Sequence, residues 1–563
     1  MLGFPSSDAI ASTTPPRWGR RRHTPSYARR GMVASAHPLA TAAGLRVLAN
    51  GGNAVDAAIA TALACSVVLP AACGIGGDLF AIVADARDGS SAKPLAFVGS
   101  GIAPRNTTID FMREHGDDGG RVLAQQGPLS PSVPGLVDAV FSMLDRLGTR
   151  SFGELAADAI DYAGNGFPIS VPGATAIANN AELLGRFPAS AAVFLPGGRP
   201  PAPGSLFRQR DLAASIRLIA DGGRDVFYRG ELAKRIGDYL TANGGVLAAD
   251  DFVDHETIIG PPLGTTYRGY NVYQTGLPTQ GFLLLEALNI VEHDDVAKLG
   301  VDRAAGVHQL AEAMKLAFAD RLRYTGDPRF VDNPLATLIS KPWATRRHAA
   351  IDPDRAAEDV PAGDLRAGDT TYLCTMDGDG MMVSLILSVS AGFGSGVIAG
   401  DTGILLNNRA GHCFSLVEGH PNVFEPGKKT MHTLNCYLIS APDGTPVLVG
   451  GTPGGDSQPQ WNLQTIGALV DGNLDVQAAA EMPRWSVWPG TYPIEVDNRP
   501  FELRIEDRYG EETLSDLAAR GHRVVPGGPW TQGGAVQLIA RDPETGALAG
   551  GSDPRGEGMA LGL

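Results

Sequence analysis

The chain has 563 residues, of which 72 are glycine and 40 are proline, and so many residues that interrupt regular structure exclude a coiled coil or a helical repeat array. Hydrophobic residues make up 44% of the chain and charged residues only 19%, a balance that excludes wholesale disorder and predicts a large apolar core. The formal net charge of −15 argues against nucleic acid and anionic lipid as partners, because both would repel the protein.

Residues 1–30 are rich in proline and arginine, and six arginines lie between Arg17 and Arg30. We expect this leader to be disordered and regular structure to begin near Gly31. No apolar segment of secretory length follows the arginines, so we predict no signal peptide.

The composition also bears on membranes, disulfides and metals. The longest apolar run, residues 57–72, is shorter than the roughly 20 residues that span a bilayer. The five cysteines are widely separated and form no CxxC pair, which argues against a disulfide framework and a zinc site. Histidines such as His37, His293, His308 and His420 occur singly, and we expect them to be structural. These features predict a cytoplasmic protein with no membrane contact, no metal and no other cofactor.

Two packed helices are predicted at residues 39–50 and 54–68, because glycines end the first and Asn53 can cap the second. After the GIGGD segment, the apolar residues 79–84 predict a buried central strand. This segment is not expected to bind a nucleotide. The order of elements here is helix, glycine-rich turn and strand, whereas a dinucleotide-binding fingerprint has the order strand, glycine-rich turn and helix.

The middle of the chain, residues 150–345, is predicted to be mainly helical. Ser151 and Glu154 form a capping box that opens one helix, which Gly164 closes. Helical spacing recurs at residues 210–220, 231–242 and 303–324. Residues 345–369 are polar and charged, so we expect an exposed, mobile connector there.

From Thr370 onward the pattern changes to short apolar or alternating runs, namely TTYLCTM, VSLILSV, GILLNN, LNCYLIS and VLVGG. Turn signals such as DGDG and PDG separate them, which predicts successive strands. A helical middle followed by these strands favours an α+β fold in which helices cover a stack of mostly antiparallel sheets.

The junction between Asp369 and Thr370 is a candidate for chemistry. A hydroxyl at the start of a core strand can attack the carbonyl just before it, and the mobile connector would let the cut end move away. The Thr thus freed would carry its own base, since an α-amine has a pKa of about 7.7 to 8.0. Threonine pairs at strand starts are common, however, so the residues alone leave a purely structural interpretation open.

The sequence from Gly31 to the C-terminus resembles the γ-glutamyltranspeptidase family of N-terminal nucleophile hydrolases. The resemblance is carried by residues 31–60 with the GIGGD that follows them, 370–396, 403–408, 450–456 and 550–562. It implies a four-layer αββα sandwich made as one precursor. Cleavage between Asp369 and Thr370 would give a large subunit, 31–369 after the leader, and a small subunit, 370–563.

The resemblance also implies roles for residues around the nucleophile, Thr370. Gly454 and Gly455 match the glycine pair whose main-chain N–H groups stabilise an oxyanion. Ser388 and Ser390 stand where the family usually has Thr and Asn, and strand alternation predicts that both lie on one face. Ser388 is expected to support the nucleophile and Ser390 to contact substrate, although two polar residues on a half-buried strand would also fit. Tyr372 stands where His is usual.

The substrate pocket departs further from the family. Ser100 stands near the position of the Arg that binds a glutamyl carboxylate, and His432 and Thr433 replace a Ser-Ser pair. Arg409 replaces a Gln, and either Gly411 or His412 replaces an Asp. Losing the bidentate Arg contact predicts weak binding of a free γ-glutamyl group. Arg409 could supply an anion contact from the opposite wall or could equally be a surface arginine.

The resemblance therefore predicts a self-cleaving hydrolase or acyltransferase for a small-molecule substrate, with an altered pocket. One alternative is a homologue that cleaves C–C bonds in a pathway to an antibiotic or similar metabolite, and another is a glutaryl-type acylase. A further alternative, which is not an enzyme, is a binding protein that has the same fold but no catalytic activity. The two subunits cut from one precursor are expected to bind each other as a heterodimer. A dimer of such heterodimers is a further assembly that the family allows.

Overall fold

A computed structural model describes residues 1–5, 18–19, 23–86, 93–358, 369–488 and 501–563, with only the main chain for Asp369. The strands in chain order are β1 (Ser26–Ala28), β2 (Gly31–Ser35), β3 (Asp78–Ala84), β4 (Leu95–Gly99), β5 (Phe167–Pro168), β6 (Leu206–Phe207), β7 (Ile258–Gly260), β8 (Leu263–Tyr267), β9 (Tyr270–Gln274), β10 (Asp369–Asp377), β11 (Met382–Ser390), β12 (Cys436–Ser440), β13 (Pro446–Gly451), β14 (Trp485–Trp488), β15 (Glu502–Glu506), β16 (Arg523–Gly527), β17 (Gln537–Arg541), β18 (Leu548–Ser552) and β19 (Met559–Gly562). The α-helices are α1 (Pro38–Ala49), α2 (Ala54–Val68), α3 (Ile109–Glu114), α4 (Leu136–Leu147), α5 (Phe152–Asn165), α6 (Val171–Asn179), α7 (Ala181–Gly185), α8 (Pro188–Phe194), α9 (Arg210–Gly222), α10 (Arg224–Tyr228), α11 (Glu231–Ala242), α12 (Ala249–Phe252), α13 (Gly281–Val291), α14 (Val296–Leu299), α15 (Ala304–Tyr324), α16 (Leu335–Leu338), α17 (Lys341–His348), α18 (Arg409–His412), α19 (Ser457–Val470), α20 (Val476–Glu481) and α21 (Glu511–Ala519).

Within these ranges, two seven-stranded antiparallel sheets pack face to face and helices cover the outer face of each. The first sheet has the order β1-β18-β17-β13-β12-β9-β8, and the second has the order β19-β2-β10-β11-β3-β4-β7. Apolar side chains from both sheets, among them Phe80, Tyr372 and Leu438, fill the space between them. The predicted α+β class and four-layer αββα sandwich are confirmed.

Strand β10 lies third in the second sheet, between β2 and β11. Strand β11 pairs along nearly all of β10, β2 pairs with its residues 373–377, and apolar layers cover both of its faces. Its first side chain on the inner face is that of Thr370, so this hydroxyl is fixed at one end of the sandwich rather than on a loose loop.

Helices α1 and α2 cover the outer face beside β10, as the sequence predicted. Asn53 caps α2, since its side chain accepts from the Asp56 N–H (2.9 Å) while the Asp56 carboxylate accepts from the Asn53 N–H (3.0 Å). Every residue of α2 is buried. The two helices approach closely at Gly44, where a Cβ would overlap Thr61 Oγ1.

The leader differs from the prediction in its described parts. Residues 26–28 form β1, which pairs with β18 at the edge of the first sheet, so regular structure begins before Gly31. Leu2 is buried in the core beneath that sheet, and Gly3 bridges to Asp475. The backbone at the edge of the first sheet pairs with β1, and apolar core side chains surround Leu2. Residues 6–17 and 20–22 of the predicted leader lie outside the described residues.

The middle of the chain is mainly helical, as predicted, and the helices predicted there are confirmed as α5, α9, α11 and α15, but it also supplies strands to both sheets. Strand β7 extends the second sheet, and the β8–β9 hairpin completes the first. These strands are short and lie at or near the sheet edges, so their apolar pattern is weak. The predicted connector begins as helix, because Ser340 caps α17 and Arg347 pairs with Asp320 (3.0 Å). Its residues 359–368 lie outside the described part of the chain.

The GILLNN segment, predicted as a strand, forms only isolated bridges. Leu405 pairs with Ile398, and Leu406 pairs with Gly76. Gly403 has φ +67°, which turns the chain away from an extended course. None of the helices in the described ranges is both long enough and apolar enough to cross a membrane.

We expect Gly44→Ala to destabilise the protein by about 1–3 kcal/mol, because the added methyl overlaps Thr61 Oγ1 and lies 2.9 Å from the Ala57 carbonyl oxygen. Denaturant unfolding measures the effect. Gly153→Ala is the matched control, since Gly153 is also helical but its nearest neighbour would be 3.7 Å away. That change should be neutral or stabilising by up to about 1 kcal/mol. Equal effects of the two changes would contradict the proposed close packing.

Candidate active site

Thr370 lies at the start of β10, and the residue is 5% exposed. Its Oγ1 donates a hydrogen bond to Ser388 Oγ on the neighbouring strand β11 (3.2 Å). Ser388 Oγ also accepts the main-chain N–H of Ser390 (2.8 Å). The Ser388 hydroxyl is therefore held by its own strand and directed at Thr370.

A β-bulge shapes the pairing of β10 with β11 at this point. Asp369 pairs with Ser390 and Thr371 pairs with Leu387, so two residues of β11 lie opposite Thr370. Ser390 has φ +87°, which is rare for a residue with a side chain. With this positive φ, Ser390 departs from the regular strand geometry on which the alternation predicted for Ser388 and Ser390 depends. Its Oγ lies 3.1 Å from His412 Nδ1.

The turn that contains Gly454 and Gly455 follows β13 and lies at the same end of the sandwich as Thr370. The last residue of β13, Gly451, lies directly against the Tyr372 ring of β10. Gly454 (φ +138°) and Gly455 (φ +55°) adopt conformations that favour glycine, and a Cβ on Gly454 would overlap Trp461. A tight glycine turn with main-chain N–H groups at this end of the sandwich suits oxyanion binding.

Buried polar side chains hold this turn in place. Asp456, the residue after the glycines, forms an ion pair with Arg321 (2.8 Å). Gln280 donates to the main-chain oxygens of Gly455 (3.1 Å) and Thr433 (2.7 Å). Thr433, predicted to contact substrate, therefore contributes its carbonyl group to the support of the turn.

Asp78 and Arg409 form a buried ion pair beside Ser388. Asp78 begins β3 and lies directly opposite Ser388 in the strand register. Arg409 Nε donates to Asp78 Oδ2 (3.3 Å), and both side chains are at most 1% exposed. Burial raises the pKa of the Asp78 carboxyl to about 7, although the Arg409 guanidinium pulls it down. The surface alternative for Arg409 is wrong, because its guanidinium is buried against Asp78.

His432 and Ser100 lie near this pair with unpartnered polar atoms. His432 Nδ1 is 3.9 Å from Asp78 Oδ2, too far for a hydrogen bond, and its ring packs edge-on against Phe80 (5.0 Å). Burial, helped by Arg409, lowers the pKa of His432 well below its usual value, so the ring is neutral. Ser100 follows β4 and is fully buried, and its Oγ has no hydrogen-bond partner among the described residues.

Sequence reasoning missed three members of this cluster. Asp78 is the last residue of the GIGGD segment, to which the sequence assigned no catalytic role. The signal that could have identified it is an acidic residue at the start of an apolar strand. Gln280 and Arg321 support the glycine turn from distant helical segments. No local pattern marks them, because their partners lie more than 100 residues away along the chain.

Two of the histidines that occur singly in the sequence, His308 and His293, lie next to another histidine in the fold. His308 Nδ1 lies 2.8 Å from His522 Nε2, and Glu312 is close enough for the three side chains to surround an ion. Glu312 already accepts from the Lys315 ammonium (2.7 Å), which opposes a further cation. His293 stacks on His348 with ring centroids 5.0 Å apart.

We expect Asp78→Leu to destabilise the protein by about 3 kcal/mol, because it leaves the buried Arg409 guanidinium without its main partner. Arg409→Met should cost less, because the pKa of Asp78, already raised by burial, rises further without the guanidinium and the carboxyl becomes neutral. The double variant should lose less than the sum of the two, since it removes both charges. Denaturant unfolding measures this cycle. The exposed pair Arg113–Asp110 (3.1 Å) is the control, and removing it should change stability by less than about 1 kcal/mol. Strict additivity at Asp78 and Arg409 would show that the pair does not interact.

Comparisons with known proteins agree with this architecture. The family model for gamma-glutamyltranspeptidase matches residues 40–563. The glutathione hydrolase-like YwrD proenzyme of Bacillus subtilis is 39% identical, over 94% of this chain and 98% of that protein. The acylase ACY 1 proenzyme of Pseudomonas sp. (strain SE83) is 34% identical, over 96% of this chain and 94% of that protein.

Among solved structures, the cephalosporin acylase from Bacillus halodurans matches with a TM-score of 0.88 and 34% identity, over 98% of this chain and 99% of that chain. The matched segments include β10, β11 and the glycine turn. This chain belongs to the γ-glutamyltranspeptidase family of N-terminal nucleophile hydrolases.

Proposed function

We propose that this protein is a self-processing hydrolase or acyltransferase whose nucleophile is Thr370 Oγ1. The observation that carries the proposal is the hydrogen bond from Thr370 Oγ1 to Ser388 Oγ at the start of a buried central strand. A hydroxyl held in this way is positioned for attack rather than left to rotate. The proenzyme names of the relatives support a precursor that is cut.

Maturation uses the same hydroxyl. Thr370 Oγ1 attacks the carbonyl carbon of Asp369, the C–N bond breaks, and the nitrogen gains a proton and becomes the α-amine of Thr370. The resulting ester is hydrolysed by water, which releases the Asp369 carboxylate and regenerates the hydroxyl. The products are a large subunit that ends at Asp369 and a small subunit, 370–563.

In the mature enzyme the new α-amine acts as the base. It takes the proton of Oγ1 while the oxygen attacks the substrate amide carbonyl, and it returns that proton to the leaving amine. The main-chain N–H groups of Gly454 and Gly455 stabilise the oxyanion that forms. Water, or an acceptor amine, then removes the acyl group from Oγ1.

The pocket favours an acyl donor other than a γ-glutamyl group. Ser100 stands where the resemblance places a carboxylate-binding Arg, and Arg409 is already paired with Asp78. An acylase that acts on amides with a different acyl group fits this environment better than a glutathione hydrolase. C–C bond cleavage stays a prediction of the sequence, because no contact in the site favours it. The fixed Thr370 hydroxyl supports a catalytic role over a silent scaffold.

We expect Thr370→Ala to abolish both chain cleavage and turnover, because the attacking oxygen is gone. Thr370→Ser should retain some of both at lower rates, since the hydroxyl remains without the methyl group that restricts its rotamer. Intact mass spectrometry, with N-terminal sequencing of the small subunit, measures cleavage without a known substrate. A wild-type protein that stays uncut yet turns over substrate would overturn the proposal, as would turnover by the Ala variant.

We expect Ser388→Ala to lower kcat about 10- to 100-fold, because Thr370 Oγ1 loses the group that orients it. Ser384→Ala is the matched control. Ser384 lies on the same strand, is equally buried and bonds to the Tyr372 hydroxyl (2.7 Å) rather than to Thr370. It should lower stability but leave kcat nearly unchanged. The role assigned to Ser388 fails if both variants lower kcat equally.

A further inference from the structure

Cleavage of the precursor needs a base other than the one that serves the mature enzyme. Before the chain is cut, the nitrogen of Thr370 belongs to a peptide bond, and such a nitrogen donates a hydrogen bond but does not accept a proton. The proton of Thr370 Oγ1 must therefore go to another group of the folded chain while the oxygen attacks the Asp369 carbonyl. The α-amine cannot be that group, because it exists only after the cut.

Ser388 is the first group on the path of this proton. Its Oγ accepts the hydrogen bond from Thr370 Oγ1 (3.2 Å) and also accepts the main-chain N–H of Ser390 (2.8 Å). A serine hydroxyl carries one proton of its own. When it receives the proton of Thr370, it has to pass its own proton to an acceptor, because a doubly protonated hydroxyl is a strong acid.

Asp78 is placed to be that acceptor. It lies directly opposite Ser388 in the register of β3 and β11, so the two side chains are on the same face of the sheet. The Cβ atoms of such opposite residues are about 4.5–5.5 Å apart, a separation that a hydroxyl and a carboxylate can span. Asp78 is fully buried, and its Oδ2 holds Arg409 Nε (3.3 Å). Its Oδ1 has no hydrogen-bond partner within the described ranges, so this oxygen is available to Ser388.

The acidity of Asp78 suits a base that works near neutral pH. Burial raises the pKa of its carboxyl to about 7, although the Arg409 guanidinium acts in the opposite direction. A base is most effective when its pKa is near the working pH, because much of it is ionised and it still binds a proton firmly. Above about pH 7 the carboxylate prevails, and below that pH the neutral acid prevails.

The other titratable groups around Asp78 are less suited to this role. Besides Arg409, the groups that interact electrostatically with Asp78 are Cys413, His432, Tyr228 and Lys429. Burial lowers the pKa of His432 well below its usual value, so that ring binds a proton weakly. Burial also raises the pKa of Tyr228 well above its usual value and lowers that of Lys429 to about 8. These two groups are therefore already protonated at pH 7.

We propose that Asp78 is the base for cleavage of the precursor and that it acts through the Ser388 hydroxyl. Thr370 Oγ1 passes its proton to Ser388 Oγ as it attacks the carbonyl carbon of Asp369, and Ser388 passes its own proton to Asp78 Oδ1. When the C–N bond breaks, the same path returns one proton to the nitrogen of Thr370, and Asp78 is a carboxylate again. This inference rests on the proposed function, because it needs Thr370 as the attacking residue.

The test follows cleavage of the newly made full-length chain, since mature protein has already been cut. The chain is synthesised in a short cell-free pulse and moved into buffers on either side of pH 7, and gel densitometry gives the cleavage rate. We expect the wild-type rate to rise about tenfold per pH unit at low pH and to level off above about pH 7. Asp78→Asn should be cut about 100-fold more slowly or worse, without this rise, and Asp78→Glu should retain part of the rate.

A shift of the pH profile separates a base from a carboxylate that only supports the fold. Arg409→Met removes the cation that lowers the pKa of Asp78, so the cleavage rate should level off about 1–3 pH units higher. Arg321→Met is the matched control, because it also removes a buried arginine, but one that is paired with Asp456. It should leave the pH of levelling off unchanged. Equal shifts in both variants, or no shift in either, would overturn the proposal.

Chemical rescue distinguishes a missing base from a damaged fold. Asp78→Ala removes the carboxylate and leaves a space, so formate should restore cleavage of the purified, uncut variant. Formamide has nearly the same shape but no charge, and it should not restore cleavage. Intact mass spectrometry measures both reactions. Equal rescue by the two compounds, or no rescue of a variant that melts cooperatively, would contradict the role of Asp78. If Asp78→Ala does not fold, the comparison of the two arginine variants decides.

The failure of this inference differs from the failure of the proposed function. A wild-type chain that is never cut, or a Thr370→Ala chain that is still cut, would show that the proposed function is wrong. A wild-type chain that is cut before Thr370, together with an Asp78→Asn chain that is cut at the same rate and with the same pH profile, would overturn only the role of Asp78.

Discussion

The structure of the site depends on one contact between adjacent strands, the hydrogen bond from Thr370 to Ser388. Its geometry follows from the register of β10 and β11 and from the bulge that places two residues of β11 opposite Thr370. The strands cannot slide, because apolar side chains of β10 fill both the space between the sheets and the space beneath α1 and α2. A one-residue shift would turn each of these side chains to the opposite face. Burial of the sandwich therefore sets the direction of one hydroxyl.

A polar cluster is built into the same end of this apolar sandwich. Asp78 and Arg409 are almost completely buried, as are Asp456 and Arg321. Such pairs contribute little net stability, because desolvation offsets most of their attraction. They do fix the positions of neighbouring groups, since any displacement would expose an unpaired charge to apolar surroundings. We interpret them as the support for Ser388 on one side and for the glycine turn on the other.

Membership of the γ-glutamyltranspeptidase family explains the scaffold but not the substrate. The family's named relatives include a glutathione hydrolase-like protein and an acylase, so one fold accommodates different acyl groups. In this chain the pocket positions carry Ser100, His432 and Arg409, and the guanidinium of Arg409 is paired with Asp78.

The sequence predicted those helices and strands that are specified by residues close together in the chain. The Asn53 cap, the Ser151–Glu154 capping box and the apolar run of β10 predicted helices and strands that the structure contains, because each rests on contacts within a few residues. The family motifs likewise predicted the four layers and the proposed nucleophile. By contrast, β7 and the β8–β9 hairpin were missed, since edge strands gain much of their stability from partners that are distant in sequence.

The arrangement of charges was decided by the tertiary structure alone. Asp78 and Arg409 are 331 residues apart in the chain, and Arg321 and Asp456 are 135 apart, so no spacing rule could pair them. For the same reason the sequence left Arg409 open between a pocket and a surface position. The sequence determined which residues can carry the chemistry. Which charges pair depends on distances that only the packed sheets establish, because electrostatic interactions act through space rather than along the chain.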